Sequence, residues 1–321
     1  MEHLTRCDLC RGGSLSIVDS KISLCRCDNC GFVFRNPRPS AEEIARFYSA
    51  GDHYDNWLAE EPAFDALARR RLRKVVNSRD GGKLLDVGSG IGQFLHFAQE
   101  RFEVEGTEIS ASAVRIARDK YHLAIRRGAI EEIDFGECRF DLITMFHVLE
   151  HVLSPSATLR RCAELLAPGG LIVIAVPNEL RCWRSAVRQT LSSLGVGRFK
   201  HRGSYGLPPI YLEISAADSA IRDLHLSHFT VDTLEKMLSR SGFAVLEESL
   251  DPFYAASGLV GLWHAFNYEA CRMVKTLSGG NIYDAIWIVA RKTEELGTAN
   301  IASLRPAAPA NKGGDPGLPA Q

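Results

Sequence analysis

The segment LLDVGSGIGQFL, residues 84–95, constrains the fold more tightly than any other. A short apolar run ends at Asp86 and Val87, glycines follow at alternate positions (Gly88, Gly90, Gly92), and an apolar-faced helical stretch begins at once. Glycine reaches positive φ without a Cβ penalty and lets a ligand approach the backbone, while a helix start offers free N–H groups. The spacing therefore predicts a strand, a tight turn and a helix, with a ligand over the turn. The pattern then repeats. EVEGTEI, LAIRR, FDLITMF and GLIVIAVPN read as strands; GQFLHFAQER, ASAVRIARDKY and SATLRRCAELLAPGG read as helices, the last closing on Pro168, Gly169 and Gly170. A helix opened by Thr230 or Ser227 and closed by Gly242, a strand after it, and the strand YDAIWIVARK complete the series. Alternation of this kind predicts an α/β protein with a doubly wound, mostly parallel sheet covered on both faces.

Around that series the chain divides further. Residues 36–79 read as a helical linker, with Ser40 and Glu43 forming a capping box at its first helix. Residues 179–224 form an insertion, a helix followed by a Gly/Pro-rich loop, and residues 255–280 form a second, with Trp263 and Phe266 on an apolar stripe. Packing within the molecule is the expectation for that stripe; a membrane surface or a second subunit is the alternative. Residues 293–321, rich in Ala, Pro, Gly and Asn, are expected to be a disordered tail. A formal net charge of −1 over 321 residues disfavours a nucleic-acid partner. No apolar run approaches the roughly 20 residues of a membrane span, and the amino terminus lacks a secretory pattern, so a cytoplasmic protein is expected.

Five of the nine cysteines fall in the first 30 residues. Cys7 and Cys10, then Cys27 and Cys30, give C-x2-C-x16-C-x2-C, the spacing at which two knuckles present four thiolates to one tetrahedral zinc. Residues 1–35 are thus expected to be a ribbon that needs its structural zinc to fold. The alternating stretch between the knuckles reads as a hairpin, and Cys25 as a spare thiol beside Cys27.

A dinucleotide turn would read G-x-G-x-x-G; here the third glycine comes one residue early, and an acid precedes the turn. A carboxylate there suits an ammonium group rather than a pyrophosphate. Glu108 closes the next strand, where a carboxylate can accept both hydroxyls of an unphosphorylated ribose. Ribose and ammonium without diphosphate describe S-adenosylmethionine. LLDVGSGIGQFL, VEGTEIS, FDLITMFHVLEHV and LLAPGGLIVIAVPN, in that order, resemble the motifs of class I S-adenosylmethionine-dependent methyltransferases over residues 80–292. That resemblance implies a seven-stranded, Rossmann-like sheet with its last strand antiparallel. It also implies cofactor contacts at Asp86, Gly88, Gly90, Gly92, Glu108, Phe146, and Ala129 and Ile130 in the adenine turn, with Glu131 the nearest acid. The cysteine knuckles followed by GFVFRNPRPSAEEIARFYS are similar to the amino-terminal extension of members from polysaccharide or natural-product pathways, and related knuckles precede some RNA methyltransferases. The segment bearing Tyr48, Tyr54 and Trp57 resembles a lid over the cofactor.

Methyl transfer from a sulfonium is an in-line displacement, so a base is needed only where the acceptor loses a proton. His147 follows the fourth strand, at the edge where open α/β sheets bind ligands, and is the first candidate; His228 is the second. His151 matches a structural histidine of the family. His225 and His228 make an H-x2-H that offers two ligands without a nearby acid or thiol, which argues against a metal. Arg181, Arg184, Arg188, Arg198, Lys200, His201 and Arg202 suit a phosphorylated or carboxylated acceptor, such as a nucleotide- or lipid-linked sugar, as well as a solvated helix face. The leading expectation is O-methylation of a small molecule or glycan precursor; an RNA methyltransferase, or a cofactor-binding scaffold with a zinc docking module, is the alternative.

Overall fold

The computed structural model describes residues 1–49, 58, 60–195, 224–252 and 258–293. Tyr54, Trp57, Arg198, Lys200, His201, Arg202 and nearly all of the expected tail lie outside them. The first strands are β1 (Leu15–Asp19), β2 (Leu24–Cys27) and β3 (Val33–Arg35), followed by helices α1 (Ala41–Ser49) and α2 (Glu61–Ser78). The central series runs β4 (Lys83–Val87), α3 (Gln93–Ala98), β5 (Glu103–Glu108), α4 (Ala111–Tyr121), β6 (Ile125–Arg127), β7 (Phe140–Phe146), α5 (Pro155–Leu165) and β8 (Leu166–Pro177). Then come α6 (Trp183–Ser193), the short β9 (Ser227–His228), α7 (Val231–Arg240), β10 (Phe243–Leu250), α8 (Gly258–Ser278) and β11 (Ala285–Lys292).

Seven strands form one sheet in the order β10-β11-β8-β7-β4-β5-β6, with β11 antiparallel to both neighbours. Successive residues of each inner strand point to opposite faces, as the pleat requires. Leu84, Leu142 and Val173 pack under α2, α3 and α4, while Leu85, Ile143 and Ile174 face the other side. Both faces are therefore apolar, and the sheet is doubly wound.

Two expectations need correcting. The helix before β8 ends at Leu165, not at the Pro168–Gly170 turn: Leu166 is already extended and pairs with Phe140, and the register then slips so that Leu142 faces Leu171. Pro168, Gly169 and Gly170 thus form a bulge at the strand's start, with Gly169 at φ +70°. The stripe on α8 does not pack inside: Trp263 and Phe266 are 53% and 65% exposed, and α8 buries Asn267 and Cys271 instead. Among the described residues no helix is long and apolar enough to cross a membrane.

The ribbon is joined to the rest by its own sheet. β1, β2 and β3 are antiparallel neighbours, and β3 continues onto β9, with Val33 opposite His228 and Phe34 opposite Ser227. Phe32 packs on Phe229 at 5.4 Å between ring centres, and Leu9, Phe32 and Phe34 of the ribbon share one core with Leu85 and Ile143.

Candidate active site

The cofactor half is built at the carboxyl ends of β4 and β5. Gly88, Gly90 and Gly92 all adopt positive φ, at 67°, 55° and 85°. A Cβ on Gly88 would stand 2.5 Å from Val148, and one on Gly92 would stand 2.7 Å from Leu123, so only glycine lets the turn pack this closely. Glu108 is buried behind the turn, where Gly90 N–H donates to Oε2 at 3.0 Å and Ser110 N–H donates to Oε1 at 2.8 Å. Each oxygen keeps acceptor capacity, which is the chemistry a ribose diol needs. Asp86 is buried at the end of β4 and accepts the Thr144 hydroxyl at 2.6 Å. Burial pushes its carboxyl up to about 7 against the pull of Thr144 and Arg71. A cationic ligand group would restore its charge, so the pair Asp86 and Glu108 fits a ligand with an ammonium and a ribose.

The segment expected to contact adenine spans residues 128–131. Gly128 N–H donates to the Glu108 carbonyl; Ala129 is half-buried and Ile130 buried in the core. Glu131 accepts the Thr158 hydroxyl of α5. The Phe146 ring stacks on Trp287 at 5.5 Å, meets Phe94 edge-on at 4.9 Å, and has the Arg71 guanidinium 4.7 Å above its centre.

His147 follows at φ +57°, a costly conformation for a non-glycine residue. Its Nε2 lies 3.2 Å from Asp251 and its Nδ1 3.3 Å from Glu150. Asp251 is itself gripped by Arg71 from α2 through two bonds. Burial alone pushes His147 down, but the two carboxylates outweigh it and raise its pKa above the usual histidine value. Both ring nitrogens thus face carboxylates, which fixes the orientation of the ring at the end of β7.

The other histidines gather one layer away. Glu179, just past β8, accepts from His225 Nδ1 at 2.9 Å and from His228 Nδ1 at 2.6 Å. Burial works against the Glu179 charge, yet the two histidines hold its carboxyl well below the usual range. Burial pushes His228 down, leaving it neutral with its proton on Nδ1; among the described residues nothing hydrogen-bonds to its Nε2. His151 Nδ1 lies 2.9 Å from both the Leu224 carbonyl and the Tyr48 hydroxyl; the carbonyl can only accept, so this nitrogen carries a proton. Its Nε2 stands 3.8 Å from Glu150. One ligand atom each from Glu150, His151 and His225 lies within 4.8 Å of the others, which overturns the premise that the histidine pair has no acid nearby.

Four residues here went unsingled in the sequence. Glu179, Asp251, Arg71 and Arg35 carry no local motif; only the tendency of polar residues directly after strand ends to line the ligand edge points to the first two.

In the ribbon, Cys7 Sγ lies 3.6 Å from Cys30 Sγ and Cys10 Sγ 3.5 Å from Cys27 Sγ. Four sulfurs about 2.3 Å from one zinc would stand roughly 3.8 Å apart, so the set fits a tetrahedral ion. The hydrogen bond with Cys7 pulls the Cys30 thiol down, while that same bond and burial push the Cys7 thiol up. Cys25 stands outside this set and points at the Asn36 carbonyl, 3.7 Å away.

Residues 58–248, more than half of the chain, match the family model described as a methyltransferase domain. The chain belongs to this methyltransferase family. Among curated relatives, the ubiquinone biosynthesis O-methyltransferases of Rhodopseudomonas palustris and of a Bradyrhizobium strain are 34% and 36% identical over 149 residues. Each match covers 44% of this chain and 58% of the relative, so the chain spans little more than half of those proteins. Among solved structures, magnesium protoporphyrin IX methyltransferase from Synechocystis with bound S-adenosylhomocysteine has a TM-score of 0.49 at 14% identity, covering 79% of this chain and 100% of that one. An S-adenosylmethionine-dependent methyltransferase from Listeria monocytogenes, itself of uncertain role, has 0.49 at 17% identity, covering 73% and 100%. The sheet order and the glycine turn place the methyltransferase in class I, the S-adenosylmethionine-dependent kind.

Proposed function

We propose that this methyltransferase moves the sulfonium methyl of S-adenosylmethionine to a hydroxyl of a small molecule or glycan precursor. The observation that carries the reading is the juxtaposition of two edges. A turn and two buried acids suit the cofactor, and beside them stands a buried histidine cluster whose members are fixed by carboxylates. Transfer to oxygen releases a proton, and neutral His228, anchored by Glu179, has the electronic form of a general base. Once His228 takes the proton, the Glu179 carboxylate on its Nδ1 stabilises the imidazolium that forms. His147, set between Asp251 and Glu150, orders the wall of the site. Oxygen is also the acceptor atom named for the ubiquinone-pathway relatives. The ribbon, with Cys7, Cys10, Cys27 and Cys30 around a structural zinc, leaves no open coordination position for chemistry.

The test is turnover of labelled S-adenosylmethionine with two acceptor panels, polyprenylated and simple catechols on one side and nucleotide-linked sugars on the other. His228→Asn and Glu179→Gln should each lower kcat about 100-fold or more while leaving cofactor affinity within about twofold. Methylation at nitrogen or carbon, or full activity in both variants, would overturn the proposal.

A further inference from the structure

We infer that the zinc ribbon is a clamp that assembles the acceptor side of the site, with Arg35 as its positioning residue. The inference rests on the reading of the histidine cluster given above. That cluster comes from two stretches far apart in the chain. One, residues 147–156, carries Glu150 and His151; the other, residues 224–229, carries His225 and His228. The ribbon touches both, as does α1, where Ile44 packs with Leu224 and Leu226 beside Leu153. Asp8 accepts from the Ser154 and Ser156 hydroxyls at 2.8 and 2.9 Å and from Ser156 N–H at 2.8 Å, capping α5 directly after the Glu150–His151 pair. Arg38 donates to the Leu153 carbonyl. On the other stretch, β3 pairs with β9, and Arg35 N–H donates to the Leu226 carbonyl at 2.8 Å.

Arg35 does more than extend a strand. It is 1% exposed, and a buried guanidinium is costly unless its donors are used. Nε donates to the His225 carbonyl at 2.7 Å and Nη1 donates to the Ile22 carbonyl at 2.6 Å, so one side chain ties the ribbon hairpin to the backbone of a cluster histidine. Its charge also offsets that of Glu179, the carboxylate that fixes both His225 and His228. Leu226 and Ser227 in turn donate their N–H groups to the Glu150 carbonyl at 2.8 and 3.0 Å, which closes the loop between the two stretches. The cofactor half makes no hydrogen bond to the ribbon among the described residues: Asp86 and Glu108 take their partners from β7, the glycine turn and the start of α4.

The test uses full-length, zinc-loaded protein labelled with 15N-histidine. Two-bond proton–nitrogen spectra report the tautomer of each ring, and calorimetry reports the affinity for S-adenosylhomocysteine. In the wild type, His225 and His228 should show the proton on Nδ1. In Arg35→Met, which keeps the bulk and removes the donors, those two rings should shift and lose that preference, His96 and His122 should stay, and affinity should remain within about twofold. Arg35→Lys should fall between. Unmoved His225 and His228 in a folded, zinc-loaded Arg35→Met would overturn the clamp, and so would a tenfold loss of affinity alongside the shift, since that would make the ribbon a general stabiliser. Should Arg35→Met fail to fold, chelating zinc from the wild type must move the same two rings at unchanged affinity, or the inference fails. Absence of binding by the wild type would sink the methyltransferase reading and leave the clamp readable in the spectra.

Discussion

Glu108 reaches its backbone partners from 18 and 2 residues away, whereas Arg35 reaches His225 across 190. The two halves of the site share one sheet edge and differ in how they are made. The cofactor half is local: one strand, one turn and the end of the next strand supply the glycines and both acids. The acceptor half is assembled from the ribbon, the segment after β7, Glu179 after β8, β9 and Asp251 after β10. A local site survives as a motif and depends on few other elements. An assembled site depends on every element that brings it together, so its failures should be cooperative.

That contrast can be broken first at Asp251. Asp251→Ala leaves Arg71 and His147 buried without their shared counter-charge, and chemical denaturation should show a loss of about 3–5 kcal/mol. A loss below about 1 kcal/mol would mean that the acceptor side tolerates its parts separately. Glu108→Ala should act differently, weakening S-adenosylhomocysteine roughly 10- to 100-fold by calorimetry through the lost ribose bonds, while the His225 and His228 signals stay in place.

The sequence exposed these halves unequally, and the reason is physical. The alternation of strands and helices was legible along the chain, and with it the places of Asp86, the glycines and Glu108, because these are set by near neighbours in sequence. The β8 bulge was misplaced because Pro-Gly-Gly reads equally as a helix stop; only pairing with Phe140 and Lys292's bond to the Leu166 carbonyl decide it. His147 drew notice by position, but its partner Asp251 lies 104 residues away. The exposed stripe on α8 looked like core because hydrophobicity alone does not say which face finds a partner.

Asp86 sharpens the comparison through pH. Its folded-state pKa, about 7, lies above that of an unfolded aspartate, near 4, so the unfolded chain gives up its proton first. The free protein therefore loses stability from this group as pH rises from about 4 to 7, by at most roughly 1.4 kcal/mol per unit, and none beyond. A bound ammonium reverses the balance by favouring the carboxylate. Affinity for S-adenosylhomocysteine should thus tighten from pH 5.5 to 8 by roughly tenfold, with proton release visible in buffers of different ionisation enthalpy, and Asp86→Asn should flatten the profile. The smallest effect is expected at Cys25. Cys25→Ser should retain one zinc per chain by metal analysis and change stability by about 1 kcal/mol or less, whereas Cys27→Ser should lose the metal.

The central claim is a site for S-adenosylmethionine at the glycine turn, and its most direct test is calorimetric titration of zinc-loaded protein with S-adenosylhomocysteine, with NAD as control. Micromolar binding of the first and none of the second is the expected result. A folded, zinc-loaded protein that takes up no S-adenosylhomocysteine, or that prefers NAD, would contradict it.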